Sequence, residues 1–192
     1  MFYFLLASAA AHVLQPLNFR ALIPVATGTN AREFSGILQV FHNHGFFITV
    51  AAPAKGEVAL TGGKFATATA ALGEVENEHF DVVAIPGGTA GAAELAKSKA
   101  LRKILTALQR AGKWIGAICV APAVVLQPWG FLPPTVPATC FDAPEYRAKI
   151  AKNFKLVDPS DRVVVADTAR IVTAVGPDDA ENFAKILANK VN

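Results

Sequence analysis

Apolar stretches of two kinds alternate along the chain from residue 20 onward, with polar or glycine-containing segments between them. Short continuous apolar runs are typical of buried parallel strands, whereas apolar positions spaced i, i+3, i+4 and i+7 are typical of amphipathic helices. The short runs predict strands at 20–26, 46–51, 81–85, within 114–122, at 161–166 and at 170–175. The helical spacing and its flanking signals predict helices over 32–44, from 98 to 111, directly after Cys119 and from 177 onward.

Local signals support these boundaries. Phe34, Ile37, Leu38 and Phe41 form the apolar stripe of the first helix, and Gly45 is a suitable end for it. Within 56–70, short strand-like pieces surround a pair of glycines. Because strands and helices alternate, we predict an α/β fold: a three-layer α/β/α sandwich with a mostly parallel sheet, formed by residues 20–192 as a single domain.

Composition restricts the classes of function. The chain has 192 residues, of which 53% are hydrophobic and 17% charged, so one well-filled core is expected. The 18 Lys and Arg residues are scattered and the formal net charge is +3, which argues against a nucleic-acid partner. The two cysteines lack metal-binding spacing. We therefore expect no metal, no cofactor, no disulfide framework and a reducing compartment such as the cytoplasm.

Residues 1–19 differ from the rest because they contain no Lys, Arg, Asp or Glu. Their apolar part is too short to span a membrane, and the charged region of a signal peptide is missing. We predict a separate N-terminal extension that is either disordered or a cleaved targeting peptide for an organelle or for secretion.

In parallel α/β sheets, ligands bind beyond the carboxyl ends of the strands. Cys119 follows one such strand and is expected at a helix N-terminus, where backbone N–H groups favour the thiolate. We accordingly expect a thiol pKa well below the free value of about 8.5. The competing interpretation is a buried structural cysteine.

Two further segments end strands at the same edge. Glu33 lies about 40° from Ile37 around the predicted first helix, so it borders the buried stripe; otherwise it is only a favourable first-turn carboxylate. Gly87 and Gly88 follow a strand, where their backbone can approach a substrate or simply form a turn.

The positions of the four histidines bear on whether Cys119 belongs to a catalytic triad. None of the four histidines follows Cys119 in the sequence or adjoins it: His12, His42, His44 and His79. No Cys-His-Asp triad is therefore predicted.

Five short segments, taken together and in order, resemble the DJ-1/ThiJ/PfpI superfamily and, within it, the branch of DJ-1, the parkinsonism-associated protein deglycase. They span 27–34 (TGTNAREF), 85–92 (IPGGTAGA), 117–122 (AICVAP), 138–142 (ATCFD) and 173–177 (TAVGP). The similarity extends over about residues 20–191. It implies a flavodoxin-like fold like that of class I glutamine amidotransferases.

The resemblance also implies roles for particular residues. Cys119 corresponds to the oxidation-prone nucleophile and Glu33 to the carboxyl that shares a proton with it. Gly88, next to Gly87, and Val120 correspond to the backbone donors for an oxyanion.

The chain departs from the family pattern at three places. Val120 replaces a small residue, Phe141, next to Cys140, stands where relatives have His or Tyr, and Gly63 stands where many relatives have Arg. The missing histidine after Cys119 argues against the peptidase branch.

The resemblance implies a cysteine-dependent glyoxalase or protein deglycase that acts on reactive dicarbonyls such as methylglyoxal, or on their protein adducts, in the response to oxidative stress. The alternative is a redox-sensing protective protein or chaperone with little turnover. An amidotransferase-like or peptidase hydrolase is a weaker alternative. A homodimer is expected, without a membrane span.

Overall fold

The computed structural model describes residues 19–132, 134–151, 155–158 and 160–191. Within these residues, seven strands form the central sheet. They are β1 (Arg20–Pro24), β2 (Phe47–Ala52), β5 (Ala70–Ala71), β6 (Val82–Ile85), β7 (Trp114–Ile118), β10 (Val163–Ala166) and β11 (Ile171–Ala174). Their order across the sheet is β10-β11-β7-β6-β1-β2-β5, and only β10 runs antiparallel to its neighbour. The predicted extension at 1–19 lies, apart from Phe19, outside the described residues.

Two small sheets lie beside the central one. An antiparallel hairpin joins β3 (Gly56–Ala59) to β4 (Phe65–Ala68), and a short parallel pair joins β8 (Pro137–Ala138) to β9 (Lys155–Leu156). The hairpin is tied to the loop after β1 by a bridge between Thr29 and Leu60. It therefore lies near the carboxyl end of the central sheet.

Within the part of the chain that the structure describes, five α-helices complete the layers: α1 (Ala31–Asn43), α2 (Thr89–Leu95), α3 (Lys99–Arg110), α4 (Pro144–Ala151) and α5 (Ala180–Val191). Helix α1 packs against α5, and both α3 and α5 pack against β7. The α/β/α sandwich with a mostly parallel sheet is thus confirmed. None of the helices among the described residues is both long and apolar enough to cross a membrane.

The structure corrects the predicted elements in three places. Helix α2 was not predicted, because its short, alanine-rich sequence directly follows the Gly87-Gly88 turn. Helix α4 was also missed. After Cys119 the chain forms a π-helix at Pro122–Leu126 instead of the expected α-helix.

The first strand ends at Pro24, which explains how proline is accommodated in a central strand. Its missing N–H falls at the last position of β1, and the next residue, Val25, donates to the Ala51 carbonyl at 2.8 Å. The chain then leaves the sheet and begins α1, whose N-terminal turn holds Glu33.

Candidate active site

The order of the strands brings the three predicted site segments together. Strands β7, β6 and β1 are neighbours in the sheet, and their carboxyl ends lead into Cys119, Gly87 and the loop before Glu33. Gly87 lies between the other two. A Cβ atom added to it would lie 2.6 Å from Cys119 Cβ, 3.0 Å from Cys119 Sγ and 2.9 Å from Glu33 Oε2. The thiol and the carboxyl therefore meet over a residue without a side chain.

Cys119 is held in a strained turn. Its φ is 64°, in the left-handed region that costs a non-glycine residue roughly 1–2 kcal/mol. Its N–H donates to the Ala174 carbonyl at 2.9 Å, and its carbonyl accepts from the Phe141 N–H at 2.7 Å. These two hydrogen bonds hold the unfavourable backbone conformation of Cys119 in place. Such a strained turn is typical of nucleophile elbows, in which the side chain points out of the sheet.

Glu33 is positioned by the start of α1. Asn30 caps the helix, since its side-chain oxygen accepts from the N–H groups of Arg32 at 3.0 Å and Glu33 at 3.2 Å. The Asn30 N–H in turn donates to the Gly87 carbonyl at 3.0 Å. These bonds tie the first turn of α1 to the segment after β6.

The Glu33 side chain is fully buried. Its Oε2 accepts from the Gly87 N–H at 2.6 Å, whereas its Oε1 has no hydrogen-bond partner among the described residues. A buried carboxylate oxygen without a partner is costly, while a protonated carboxyl can place its O–H there. The arrangement favours a protonated Glu33.

Burial raises the pKa of Glu33 to about 7, although the Gly87 N–H and the Cys119 thiol act in the opposite direction. A carboxyl in this range can both give and take a proton at neutral pH. The sequence-based expectation of a perturbed carboxyl beside the cysteine agrees with this direction.

The expected low pKa of Cys119 is wrong. Burial and the negative charge of Glu33 raise the pKa of the thiol to about 12, and they outweigh the N–H groups of Gly88 and Val120, which lower it. Moreover, the π-helix that follows has only five residues, so it offers less than the full helix N-terminus that the sequence predicted.

The two pKa values describe one coupled pair. Because the negative charge of one group opposes ionisation of the other, the pair holds one proton and one negative charge once the first group has ionised. Two like charges in this buried site exclude each other. Thiolate is therefore available at neutral pH to the extent that Glu33 keeps the shared proton.

A family model described as DJ-1/PfpI family matches residues 19–190. The chain belongs to this family. It is 32% identical over 174 residues to protein DJ-1 homolog B of Arabidopsis thaliana, covering 90% of this chain and 38% of that protein. It is 36% identical over 117 residues to a glutathione-independent glyoxalase, DJR-1.2, of Caenorhabditis elegans, covering 59% of this chain and 56% of that protein. The chain thus spans less than two thirds of either protein's length.

The fold is shared with solved structures of the family. The oxidized DJ-1 of Toxoplasma gondii superposes with a TM-score of 0.78 and 33% sequence identity, covering 90% of this chain and 95% of that chain.

The DJ-1/PfpI departures noted in the sequence have defined places. Phe141 is 40% exposed and packs edge-on against Tyr146, with ring centroids 6.2 Å apart. Its backbone bond to Cys119 places this segment beside the nucleophile. Gly63 lies in the turn between β3 and β4 with a φ of 66°. Neither residue supplies a polar side chain.

Cys140 differs from Cys119 in orientation. It is fully buried, its thiol points to the Phe141 carbonyl at 3.4 Å, and burial raises its pKa to about 11. Both cysteines are free thiols. Among the described residues, Asp142 acts on the Cys140 thiol only through its charge, whereas Glu33 also forms a hydrogen bond with the Cys119 thiol.

Sequence reasoning missed two residues that act on Glu33. Asn30 has a readable signal, since an asparagine three residues before a first-turn glutamate is a typical N-cap. Asp179, at the start of the last helix, was not singled out from the sequence. Its charge also raises the pKa of Glu33, a contact that depends on how α5 packs against α1.

Proposed function

We propose that this protein converts small dicarbonyls such as methylglyoxal, or their early adducts on proteins, in a reaction that depends on Cys119 and needs no cofactor. The observation that carries the proposal is the fully buried Glu33, whose pKa is about 7 and whose carboxyl meets the Cys119 thiol over Gly87. The C. elegans relative named as a glutathione-independent glyoxalase supports the same chemistry.

The chemistry begins with addition of the Cys119 thiolate to the aldehyde carbon. A C–S bond forms, and the aldehyde oxygen takes the proton that Glu33 holds, which gives a hemithioacetal. Glu33, now a carboxylate, removes the hydrogen on that carbon as a proton and returns a proton to the neighbouring carbon, while the hydroxyl proton passes to the oxygen of that neighbouring carbon. The result is a thioester of the hydroxy acid.

Water then cleaves the C–S bond and releases lactate and the free thiol. Methylglyoxal and water become lactate with no external oxidant or reductant, because one carbon is oxidised while its neighbour is reduced. One carboxyl that titrates near pH 7 suits each of these proton transfers.

The N–H groups of Gly88 and Val120 approach the sulfur closely enough to lower its pKa. Donors at this place would also face the oxygen of a carbonyl attacked by the sulfur, where preorganised N–H groups stabilise developing negative charge. Val120 narrows the space beside the sulfur, and Phe141 adds no second proton donor. We therefore expect slower turnover than in relatives with His or Tyr at that position.

The test is lactate production from methylglyoxal without glutathione. Wild-type protein should form lactate catalytically, and Cys119→Ser should abolish the activity. Cys140→Ser is the matched control, because it changes the neighbouring buried thiol and should keep the activity. Lactate formation that survives in Cys119→Ser, or is absent from the wild type, would contradict the proposal.

A redox-sensing protective role is the second candidate, and the same geometry favours it. A protonated Glu33 and two N–H groups can stabilise the oxygens of a sulfinate formed when peroxide oxidises Cys119. The Toxoplasma relative was solved in an oxidized form. Stoichiometric oxidation at Cys119 in a wild type without dicarbonyl turnover would favour this role over the enzyme.

We further propose a homodimer in a reducing, cytosol-like compartment, where two free thiols would persist. Two exposed aromatic side chains, Phe47 and Phe65, offer apolar surface that a second copy would cover. Light scattering at micromolar concentration should report twice the chain mass, and a monomer would contradict the proposal.

A further inference from the structure

Asp179 is a nearly buried carboxylate with a complete set of partners. It lies in the turn Pro177–Asp179 that leads into α5 and is 8% exposed. Its Oδ2 accepts from the Gly176 N–H at 3.0 Å. Arg162 binds it with two bonds, from Nε to Oδ1 at 3.0 Å and from Nη2 to Oδ2 at 2.8 Å. These charge-assisted bonds fix the carboxylate of Asp179 between Arg162 and the Gly176 N–H.

The start of α5 and the start of α1 are in direct contact. A Cβ atom added to Gly36, one turn after Glu33, would lie 3.1 Å from Ala180 Cβ, so the two helix backbones approach closely here. Arg32, in the first turn of α1, also pairs with Asp178 at 2.7 Å. These contacts hold the segment that carries Asp179 against the helix turn that carries Glu33. In agreement with this arrangement, the negative charge of Asp179 raises the pKa of Glu33.

We propose that Asp179 is a positioning residue for the Cys119–Glu33 pair, and that its ion pair with Arg162 sets how strongly its negative charge keeps the shared proton on Glu33. The inference rests on the proposed function for its meaning in turnover. The electrostatic coupling itself can be measured without turnover.

Few other charges face Glu33. Cys119 and the Gly87 N–H approach it from the ends of β7 and β6. On its own helix, Arg32 is mostly exposed and turned toward Asp178. The charged residues of the hairpin (Glu57 and Lys64) and of the first turn of α5 (Glu181) are exposed, where solvent screens them.

The direction of the effect follows from like-charge repulsion. A negative Asp179 favours the form in which Glu33 is protonated and Cys119 carries the charge. Loss of that charge makes Glu33 easier to ionise, so the first proton leaves at lower pH and less of the monoanion is thiolate. Loss of Arg162 strengthens the negative charge and has the opposite effects.

The experiment measures alkylation of Cys119 by iodoacetamide from pH 5 to 10, followed by peptide mapping that separates Cys119 from Cys140. The ¹³C signal of the Glu33 carboxyl, assigned with Glu33→Gln, gives the titration directly. Asp179→Asn keeps an oxygen for the Gly176 N–H but removes the charge. Asp179→Asn should lower the midpoints of both titrations, that of Cys119 alkylation and that of the Glu33 ¹³C signal, by about 0.5 pH unit. It should also lower the alkylation rate above the midpoint.

Arg162→Gln should move both midpoints up, and because Arg162 is half exposed, this variant decides the matter even if Asp179→Asn does not fold. Asp178→Asn, at a mostly exposed residue, is the matched control and should leave them in place. Unmoved midpoints in the folded variants, or an equal shift in Asp178→Asn, would overturn the inference. If only the proposed function is wrong, the variants will still shift the titration midpoints as expected, but the wild-type protein will form no lactate.

Discussion

The two ends of the central sheet each hold a carboxyl group beside a strand, and the two groups behave in opposite ways. At the amino end, Asp81 accepts from Lys113 Nζ at 2.7 Å and from the Arg20 N–H at 2.9 Å. Burial raises the pKa of Asp81, but these partners outweigh it and hold the pKa below its ordinary value. At the carboxyl end, Glu33 is buried without a cation and its pKa rises to about 7.

The comparison shows that a cationic partner lowers the pKa of a partly buried carboxyl, whereas burial without such a partner raises it. The partner therefore distinguishes a structural carboxyl from a reactive one. The amino end also carries the ion pairs Arg20–Glu78 and Lys190–Asp167 at partly exposed residues. Such pairs join side chains of neighbouring segments at this end of the sheet. At the other end, a carboxyl with a raised pKa lies beside the Cys119 thiol.

Removal of the titrating carboxyl should have the largest effect. Glu33→Gln keeps an oxygen for the Gly87 N–H but cannot transfer a proton, so we expect dicarbonyl turnover to fall about 10²–10⁴-fold. Initial rates of lactate formation measure this. Asp81→Asn, the matched change at the other end, should leave turnover unchanged. Wild-type turnover in Glu33→Gln would make Glu33 only a helix-end charge.

Close packing at Gly87 should matter next. In Gly87→Ala, the new Cβ would lie 2.6 Å from Cys119 Cβ and 2.9 Å from Glu33 Oε2, so the pair has to separate. We expect a loss of about 3 kcal/mol in the free energy of unfolding, together with loss of turnover. Denaturant titration measures the first quantity.

Gly73→Ala is the control, because nothing lies within 4 Å of a Cβ there and its φ is not positive. It should cost little. If Gly87→Ala and Gly73→Ala lower the free energy of unfolding equally, the space between Gly87, Cys119 and Glu33 is wide enough for a methyl group, and the prediction is wrong.

How far the sequence predicts this site depends on the kind of interaction. Apolar runs locate the strands, and helical spacing places Glu33 at the border of the buried stripe, because both follow from local periodicity. The order β7-β6-β1, which makes Gly87 the meeting point, follows from topology and agrees with the family resemblance. Site roles taken from that resemblance remain predictions.

Other features depend on contacts that no local pattern encodes. Helix α2 was not predicted because a glycine pair, which usually indicates a turn, directly precedes it. The π-helix after Cys119 depends on packing. The pKa of Cys119 was predicted in the wrong direction, because burial and Glu33 act through the folded core. The coupling of Asp179 to Glu33 has the same origin.

The two carboxyls should give stability opposite dependences on pH, and Glu33 should have the larger one. Its pKa in the folded state is raised from 4.5 to about 7, so folding retains a proton that the unfolded chain releases. Stability is therefore full below about pH 4.5 and falls as pH rises to 7, by about 3 kcal/mol. Urea titrations at several pH values should show this slope in wild type and its absence in Glu33→Gln. A slope that persists in Glu33→Gln would assign it to another group.

Asp81 should contribute a smaller dependence of the reverse sign. Its pKa is lowered from 3.8 in the folded state, so its stabilisation is present above that value and is lost as pH falls through the lower folded pKa. Because the pair with Lys113 is partly exposed, solvent screening limits the contribution to about 1 kcal/mol. Asp81→Asn should flatten the acid side of the stability curve while the slope between pH 4.5 and 7 remains. Loss of both slopes would show that the two ends are coupled.

The smallest effect concerns backbone strain, which the two ends share. Arg170, in the turn between β10 and β11, has a φ of 53° and, with Cys119, is one of two described non-glycine residues with a positive φ. Arg170 also lies over the Trp114 ring at 5.8 Å. Arg170→Ala loses this contact and keeps the strain, whereas Arg170→Gly loses both, so the glycine variant should be more stable than the alanine variant by about 1 kcal/mol.

The same pair of substitutions at Cys119 should give the same sign, because its φ of 64° is equally unfavourable for alanine. Thermal melts of the four variants measure both differences. Alkylation of Cys119 should stay at the wild-type rate in the two Arg170 variants, since their strain lies at the far end of the sheet from the thiol. If glycine stabilises neither position relative to alanine, the strain at Cys119 is negligible, and the turn owes its shape to the bonds with Ala174 and Phe141 alone.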